Sequence, residues 1–394
     1  MSRTRLAILS THPIQYHSAW FRALAAHPDL DLQVYYCHQA TPQEQSAAGF
    51  GVEFEWDIPL LNGYSYAFLK NVARPPGHGR FAGFDTPEIK NIIHRGNYDA
   101  VLVNGWHYKS AWQAILACWK SRTKIVVRGD SHLRMPNGTP TKVAKALIYP
   151  LFVPHLDACL ATGKWSRDYF LRYGARPERV FVVPHTVDDD YLASECRRLD
   201  PLRFQLRRKW ALDESAVVPV FSGKFIKRKR PMEFIQAVER AVRRGGYICG
   251  LMVGDGPLRE ACEEYVRSRE VPVRFTGFLN QSEIVAAYVA SDMLVLPSDG
   301  ETWGLVVNEA MVCGRACIVS DDVGCGPDLV QPSQTGAIYR TGDVDTLAEQ
   351  ITEFAKHPSE LARMGASAQV WIKQHSAQAA VDRLLECLTA IIDR

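Results

Sequence analysis

Short apolar runs closed by turn residues alternate along this chain with longer stretches whose apolar positions recur at helical intervals, a pattern that predicts βαβ units around a parallel sheet. The pattern occurs twice. Runs at 6–10 (LAILS), 32–37, 100–104, 124–128, 158–162 and 180–184 predict strands in the first half; runs at 217–223, 248–254, 273–277, 293–298, 316–321 and 336–340 predict them in the second. The expected class is α/β, with two doubly wound Rossmann-like domains. Residues 188–215 are polar and strand-free, which places a first domain at 1–190 and a second at 191–375. Residues 376–394 carry Ala379, Ala380, Leu384, Leu388, Ile391 and Ile392 at helical spacing and predict an amphipathic helix that packs back on the first domain. Residues 39–97 are less regular, and so long an irregular stretch marks a functional loop or an inserted hairpin.

Composition narrows the class. A chain of 394 residues, 47% of them hydrophobic, supports two sizeable cores and excludes a small disulfide-stapled module. Forty-six basic against 43 acidic residues leave a net charge of +3, which excludes disorder and a supercharged nucleic-acid binder. The most apolar stretch, 146–160, is cut by Pro150, Pro154, His155 and Asp157 and is too short to span a bilayer. The ten cysteines are scattered without metal-ligand spacing and are expected to be reduced and buried. After LAILS no long apolar leader follows, so a cytoplasmic protein is expected, with peripheral contact on the inner face of a membrane left open.

The chemistry concentrates in MLVLPSDGETWGLVVNEAMVCG, residues 293–314. A strand ends at Ser298, a turn follows, and Glu301 precedes a helix that ends at Gly314. If that helix starts near Glu301, Glu301 and Glu309 lie ~12 Å apart along its axis and only ~80° apart around it. Between them the amides of Trp303, Gly304, Leu305 and Val306 form an open helix start that attracts phosphate. The carboxylates would repel phosphate, so they are expected to accept hydroxyls on either side of it, which makes the ligand a nucleotide sugar. Gly223 and Lys224 end another strand ahead of the run Lys227 to Arg230, where Lys224 and Lys229 can neutralise a leaving diphosphate; Lys227 and Arg228 are read as solvated loop. Gly254 and Gly256 after a third strand would let a ligand approach the backbone. FTGF, ending at Phe278, would present backbone groups to a base edge.

The order of these segments, GK with IKRKRP, VGDGP, FTGF, ETWGLVVNEAM and SDDVG, resembles the C-terminal half of glycosyltransferase family 4, retaining enzymes with the GT-B fold of two domains facing across a cleft. The resemblance covers 217–345 strongly and 161–188 more loosely. It implies that Glu309 holds the ribose, Glu301 the hydroxyls of the donor sugar, and Lys224 with Lys229 the diphosphate. The family's usual Arg-Lys pair is Lys-Lys here, which keeps a point charge but loses a bidentate grip. Family members often carry a histidine after the fourth strand of the first domain; here Gly129, Asp130, Ser131 and His132 stand there, with Asp130 the first choice to face the donor and His132 the second. His107, and Thr11, His12, Pro13 and Tyr16 after the first strand, are cleft candidates for the acceptor.

The resulting expectation is transfer of a hexosyl group from a UDP- or GDP-sugar to an acceptor hydroxyl with retention, in bacterial polysaccharide or glycolipid assembly. Neither metal nor cofactor is required. Asp188, Asp189 and Asp190 are read as junction residues rather than a metal site. The partners expected are a nucleotide-sugar donor and a glycan or lipid-linked acceptor, with no nucleic acid. Lys142 and Lys145 beside Leu147, Ile148, Leu151 and Phe152 are a candidate contact with an anionic membrane. Two other functions fit less of the pattern: a nucleotide-sugar epimerase of the same fold, and an anionic-surface binder built on Arg197, Arg198, Arg203, Arg207, Arg208 and Lys209.

Overall fold

Alternation along the strands decides which side of each sheet a residue reaches. In the structure, a computed structural model that describes residues 3–45, 52–135 and 138–392, the first strand, β1 (Thr4–Ser10), sends Leu6 and Ile8 to one core and Ala7 and Leu9 to the opposite one. Strands β4 (Ala100–Asn104) and β5 (Lys124–Gly129) divide their side chains the same way, with Val101 and Val127 on one side and Leu102 and Val126 on the other. With β2 (Leu30–Tyr36), β3 (Ser65–Phe68), β6 (Ala158–Ala161) and β7 (Val180–Val182) they form a seven-stranded sheet in the order β3-β2-β1-β4-β5-β6-β7, parallel throughout. A six-stranded parallel sheet in the order β10-β9-β8-β11-β12-β13 is built from β8 (Pro219–Ser222), β9 (Gly250–Val253), β10 (Val273–Gly277), β11 (Met293–Leu296), β12 (Ala316–Ser320) and β13 (Gly336–Tyr339).

The chain divides into two compact units, and the boundaries differ from 1–190 and 191–375. The first unit ends at Val187, because Asp188 caps the helix Asp189–Leu199 that starts the second: its Oδ1 accepts from the Tyr191 amide at 3.3 Å. The described part of Thr41–Ile58 belongs to the second unit, held there by Asn280 Nδ2 donating to the Glu55 carbonyl (2.7 Å), by Ser282 on Asp57, and by the Phe54 ring 4.5 Å from Phe278. The helix Ala377–Ile392 belongs to the first unit, where Ala380, Val381, Leu384, Cys387, Leu388 and Ile391 share a core with Trp20, Phe21 and Leu24.

Among the described residues of 39–97, β3 is the one strand. It lies at the sheet edge, and three of its four residues are exposed, so no apolar run marks it. The ten cysteines are unbridged, and nine are buried. The basic run between the units is consumed internally: Arg203 and Arg207 both pair with Asp292 (2.5 and 2.7 Å), Arg198 with Glu195 (2.6 Å) and Arg208 with Glu214 (2.6 Å). An anionic-surface binder resting on these guanidinium groups loses most of its charge.

Candidate active site

In each sheet the strand order turns back between two neighbours, β1 and β4 in the first and β8 and β11 in the second. Loops leaving adjacent strands there diverge to opposite faces and leave a crevice at the strands' carboxyl ends.

In the second unit that crevice is bounded by Gly223 and Lys224 after β8 and by residues 298–304 after β11. The two loops are tied together: the Asp299 amide donates to the Arg228 carbonyl at 2.8 Å, and Arg230 Nη2 reaches Asp299 at 3.1 Å. Arg228 Nη1 also donates to the Gly300 carbonyl at 3.4 Å, so Arg228 braces the site and is not simply solvated loop. Glu301 is fixed from its own backbone, its amide donating to Asp322 O (3.1 Å) and its carbonyl accepting from Gly324 (3.0 Å). Its side chain forms an ion pair with Lys229, and both are largely buried. Burial would raise the Glu301 carboxyl, but Lys229, with help from Arg228 and Ser298, holds it below the ordinary range. Lys224 is pushed the other way. Burial, with Lys229 and Arg228 nearby, depresses its ammonium to about 8 despite Glu301.

The helix after β11 runs Leu305–Val312, so Glu301 precedes it by a full turn and the axial spacing expected for Glu301 and Glu309 does not hold. Gly304 is the reason. It caps the helix with φ 102°, and a Cβ there would lie 3.0 Å from Leu296 and 3.2 Å from Val323. The Leu305 and Val306 amides still precede the first intrahelical bonds. Trp303 is buried and donates its indole N–H to Asn308 at 2.9 Å. Glu309 is only 2% exposed, and the Tyr288 hydroxyl donates to its Oε2 at 2.7 Å.

The glycines after β9 serve the protein's own backbone. A Cβ on Gly254 would fall 2.0 Å from the Gly223 carbonyl, and one on Gly256 2.9 Å from that of Phe225. The Gly223 amide donates to Val253 O and that of Gly254 to Gly277 O, which zippers the loops after β8, β9 and β10. Phe278 continues this edge, with its ring against Phe54.

In the first unit a cavity of about 190 Å³ opens at the β1/β4 crevice. Asp130 and His107 line it and His132 does not. His132 is 1% exposed and packs on Trp165 at 5.0 Å. His12 and Tyr16 are not among the lining residues; His12 meets His78 edge-on at 4.8 Å. Besides Tyr169, three residues absent from the sequence-based candidates supply the cavity's other ionisable groups. Arg128, buried at the end of β5, lies 4.7 Å over Trp20 and donates Nη2 to Pro184 O at 3.0 Å, while its Nε finds no partner among the described residues. His185 Nε2 lies 3.9 Å from Asp130 Oδ2, and burial together with the Arg128 charge keeps this imidazole below its ordinary pKa against the pull of Asp130. His17 is pushed well below its usual value by burial and then by Arg128. Both imidazoles are therefore neutral at pH 7, leaving one cation and one carboxylate in the cavity. The signal for His185 lies in VFVVPHTV, which puts a histidine just past a strand end.

Two Rossmann-like units of this order define the GT-B class, and solved structures with the same fold agree. HepE of Anabaena, in complex with UDP and glucose, superposes with a TM-score of 0.70 at 16% identity, covering 98% of this chain and 100% of that one. A glycosyltransferase from Rickettsia africae superposes at 0.75 with 14% identity and full coverage of both. Residues 21–191 match the family described as Glycosyltransferase Family 4, and residues 203–388 match Glycosyl transferases group 1. The chain belongs to glycosyltransferase family 4. Among curated relatives, the N-acetyl-alpha-D-glucosaminyl L-malate synthase of Bacillus anthracis is 32% identical over 42% of this chain and 43% of its own length. The D-inositol 3-phosphate glycosyltransferase of Rhodococcus jostii is 27% identical over 76% of this chain and 66% of its own. The chain thus spans less than two thirds of the length of either.

Proposed function

We propose that this protein transfers a hexosyl group from a nucleoside-diphosphate sugar to an acceptor hydroxyl with retention of the anomeric configuration. The observation that carries this reading is the Lys229–Glu301 ion pair, set with Lys224 beside the open helix start at the strand-order reversal. The diphosphate takes the two ammonium groups and the Leu305 and Val306 amides; Glu301 takes a sugar hydroxyl and Glu309 the ribose; Phe278 and Gly277 border the base. The bond from the anomeric carbon to the diphosphate oxygen breaks, the acceptor oxygen bonds to the same face of that carbon, and the acceptor's proton passes to the departing diphosphate. Lys224 and Lys229 stabilise the charge that develops there, so the transfer is proposed to need neither metal nor cofactor. Asp130 and His107 present polar groups to the acceptor in the cavity of the first unit. A role in polysaccharide or glycolipid assembly, in the cytoplasm, fits this chemistry.

A second reading of the acceptor is favoured by Arg128, a buried cation at the cavity whose Nε finds no partner among the described residues. The relatives named above are called after L-malate and inositol 3-phosphate, which carry carboxylate or phosphate beside hydroxyls. A small anionic polyol or hydroxy acid fits the same cavity.

A thermal-shift screen of UDP- and GDP-sugars tests the donor, since a ligand at 100 times its Kd stabilises by about 2.7 kcal/mol. Proton NMR of the product's anomeric signal tests retention. An inverted product, or no shift with any nucleotide sugar, overturns the proposal.

A further inference from the structure

The helix Thr139–Ile148 of the first unit has no buried residue. Val143, Leu147 and Ile148 on it, and Leu151 just beyond, are 53, 68, 52 and 73% exposed, although each is large and apolar. Phe152, grouped with them on sequence grounds, is instead buried in the core. Among these apolar side chains stand Lys142 and Lys145, and from Ser131 to Leu156 the sequence holds no aspartate or glutamate. The recess beneath the helix, about 320 Å³, is lined by Lys142, Lys145 and Arg172 together with Leu133, Tyr169 and Tyr173, and among the described residues no acidic side chain lines it. The Lys145 ammonium lies over the Tyr169 ring, 5.8 Å from its centroid, at this recess. Among the described residues, no helix is long and apolar enough to cross a membrane.

We propose that this face docks on an anionic lipid bilayer: Val143, Leu147, Ile148 and Leu151 enter the headgroup boundary while Lys142, Lys145 and Arg172 meet lipid phosphates. An exposed apolar stripe is costly in water and is expected where a surface has a partner. A cationic helix with an apolar face lies in the interface plane of acidic membranes. A second copy of the chain fits this face less well, because a two-fold dimer would bring the same lysines against one another. The proposal goes beyond the transferase reading, since docking does not depend on which sugar is moved.

The test is co-sedimentation of the full chain with vesicles of phosphatidylcholine alone and of phosphatidylcholine mixed with phosphatidylglycerol, at low and high salt. Binding should require phosphatidylglycerol and weaken with salt. Each cation removed should lower the partition coefficient by about fivefold, so Lys142→Gln with Lys145→Gln should lower it by about 25-fold. Leu147→Ser with Leu151→Ser should weaken it without changing the salt dependence. These positions are exposed, so both variants should fold, and their thermal shift with a nucleotide sugar should match the parent; that measurement separates failure of docking from failure of the donor reading. Equal binding to both vesicle types, no binding, or unchanged binding of the lysine pair overturns the proposal. So does a dimer, seen by sedimentation velocity, that the leucine substitutions dissociate.

Discussion

Lys224 offers a sharp test because its charge state near neutral pH is set by the site itself. Its ammonium is depressed to about 8 by burial and by Lys229 and Arg228. A diphosphate placed against it adds two negative charges and draws the pKa back up, so donor binding takes up a proton whenever the free protein has lost it. The sign follows: below pH 8 the free protein already carries the charge and affinity is flat, and affinity falls as pH rises through 8. For one group of this pKa, with the bound form protonated throughout, the apparent Kd should rise about fourfold between pH 7 and 8.5. Titration calorimetry of the donor diphosphate at both values measures this, and buffers of different ionisation enthalpy report the proton taken up. In Lys224→Arg the guanidinium stays charged over the whole range, so its profile should be flat. A flat profile in the parent, or the same fall in Lys224→Arg, would refute the placement of Lys224 against the diphosphate.

Glu301→Gln should leave Lys229 as a buried ammonium without its counter-charge, costing about 3–5 kcal/mol of stability by melting, and should lower kcat more than it changes donor affinity. Gly304→Ala forces a Cβ into a 3.0 Å contact with Leu296 at φ 102°; a loss of about 1–3 kcal/mol is expected, with a weaker nucleotide thermal shift because the Leu305 and Val306 amides move. Tyr288→Phe removes the hydroxyl that Glu309 accepts and should weaken binding of the whole nucleotide by severalfold while leaving that of pyrophosphate unchanged. Leu384→Ala, in the helix that closes the core of the first unit, should cost about 2–5 kcal/mol in denaturant unfolding without altering nucleotide affinity.

What could be read in the chain and what could not divide along physical lines. Buried parallel strands need uninterrupted apolar runs, so Leu6–Ser10 or Met293–Leu296 are legible from local composition alone. Strand β3 pairs by backbone bonds at an edge, and backbone bonding leaves no side-chain signature. The attachment of Thr41–Ile58 to the second unit rests on contacts such as Asn280 with Glu55 and Phe54 with Phe278, separated by more than two hundred residues, and no local pattern encodes such pairs. Lys224 and Lys229 are legible as part of a basic run that follows a strand end, and Glu301 as a carboxylate just before a helix start. Arg128 escaped notice for the converse reason: it sits inside KIVVRGD, where a single cation reads as a strand terminus, and only the tertiary structure reveals the guanidinium buried on Trp20. The glycines after β9 were read as room for a ligand, whereas the space is filled by the neighbouring loop.

That filling bears on how the donor site works. If Gly254 and Gly256 had kept space for a ligand, the loops after β8, β9 and β10 could move independently as it entered. Instead the Gly223 amide bonds to Val253, that of Gly254 to Gly277, and that of Phe225 to Asp255, while Arg228 and Arg230 fasten the β8 loop to that of β11. Lys224 and Lys229 are thus carried on a brace between two neighbouring loops. Burial first, and then the Lys229 and Arg228 charges, depress the Lys224 ammonium, and Glu301 offsets only part of this. Glu301 already answers the Lys229 charge before any substrate arrives, which leaves Lys224 as the ammonium that added negative charge would favour most. In the proposed transfer the diphosphate is most negative as it leaves the sugar, so ammonium groups held on these loops would favour the transition state over the bound donor. Arg228→Lys, which keeps the charge that bears on Lys224 and Glu301 but shortens the strut to Gly300, should accordingly lower kcat several times more than it raises the KM for the donor; an effect confined to KM would show that the loop is not held in advance.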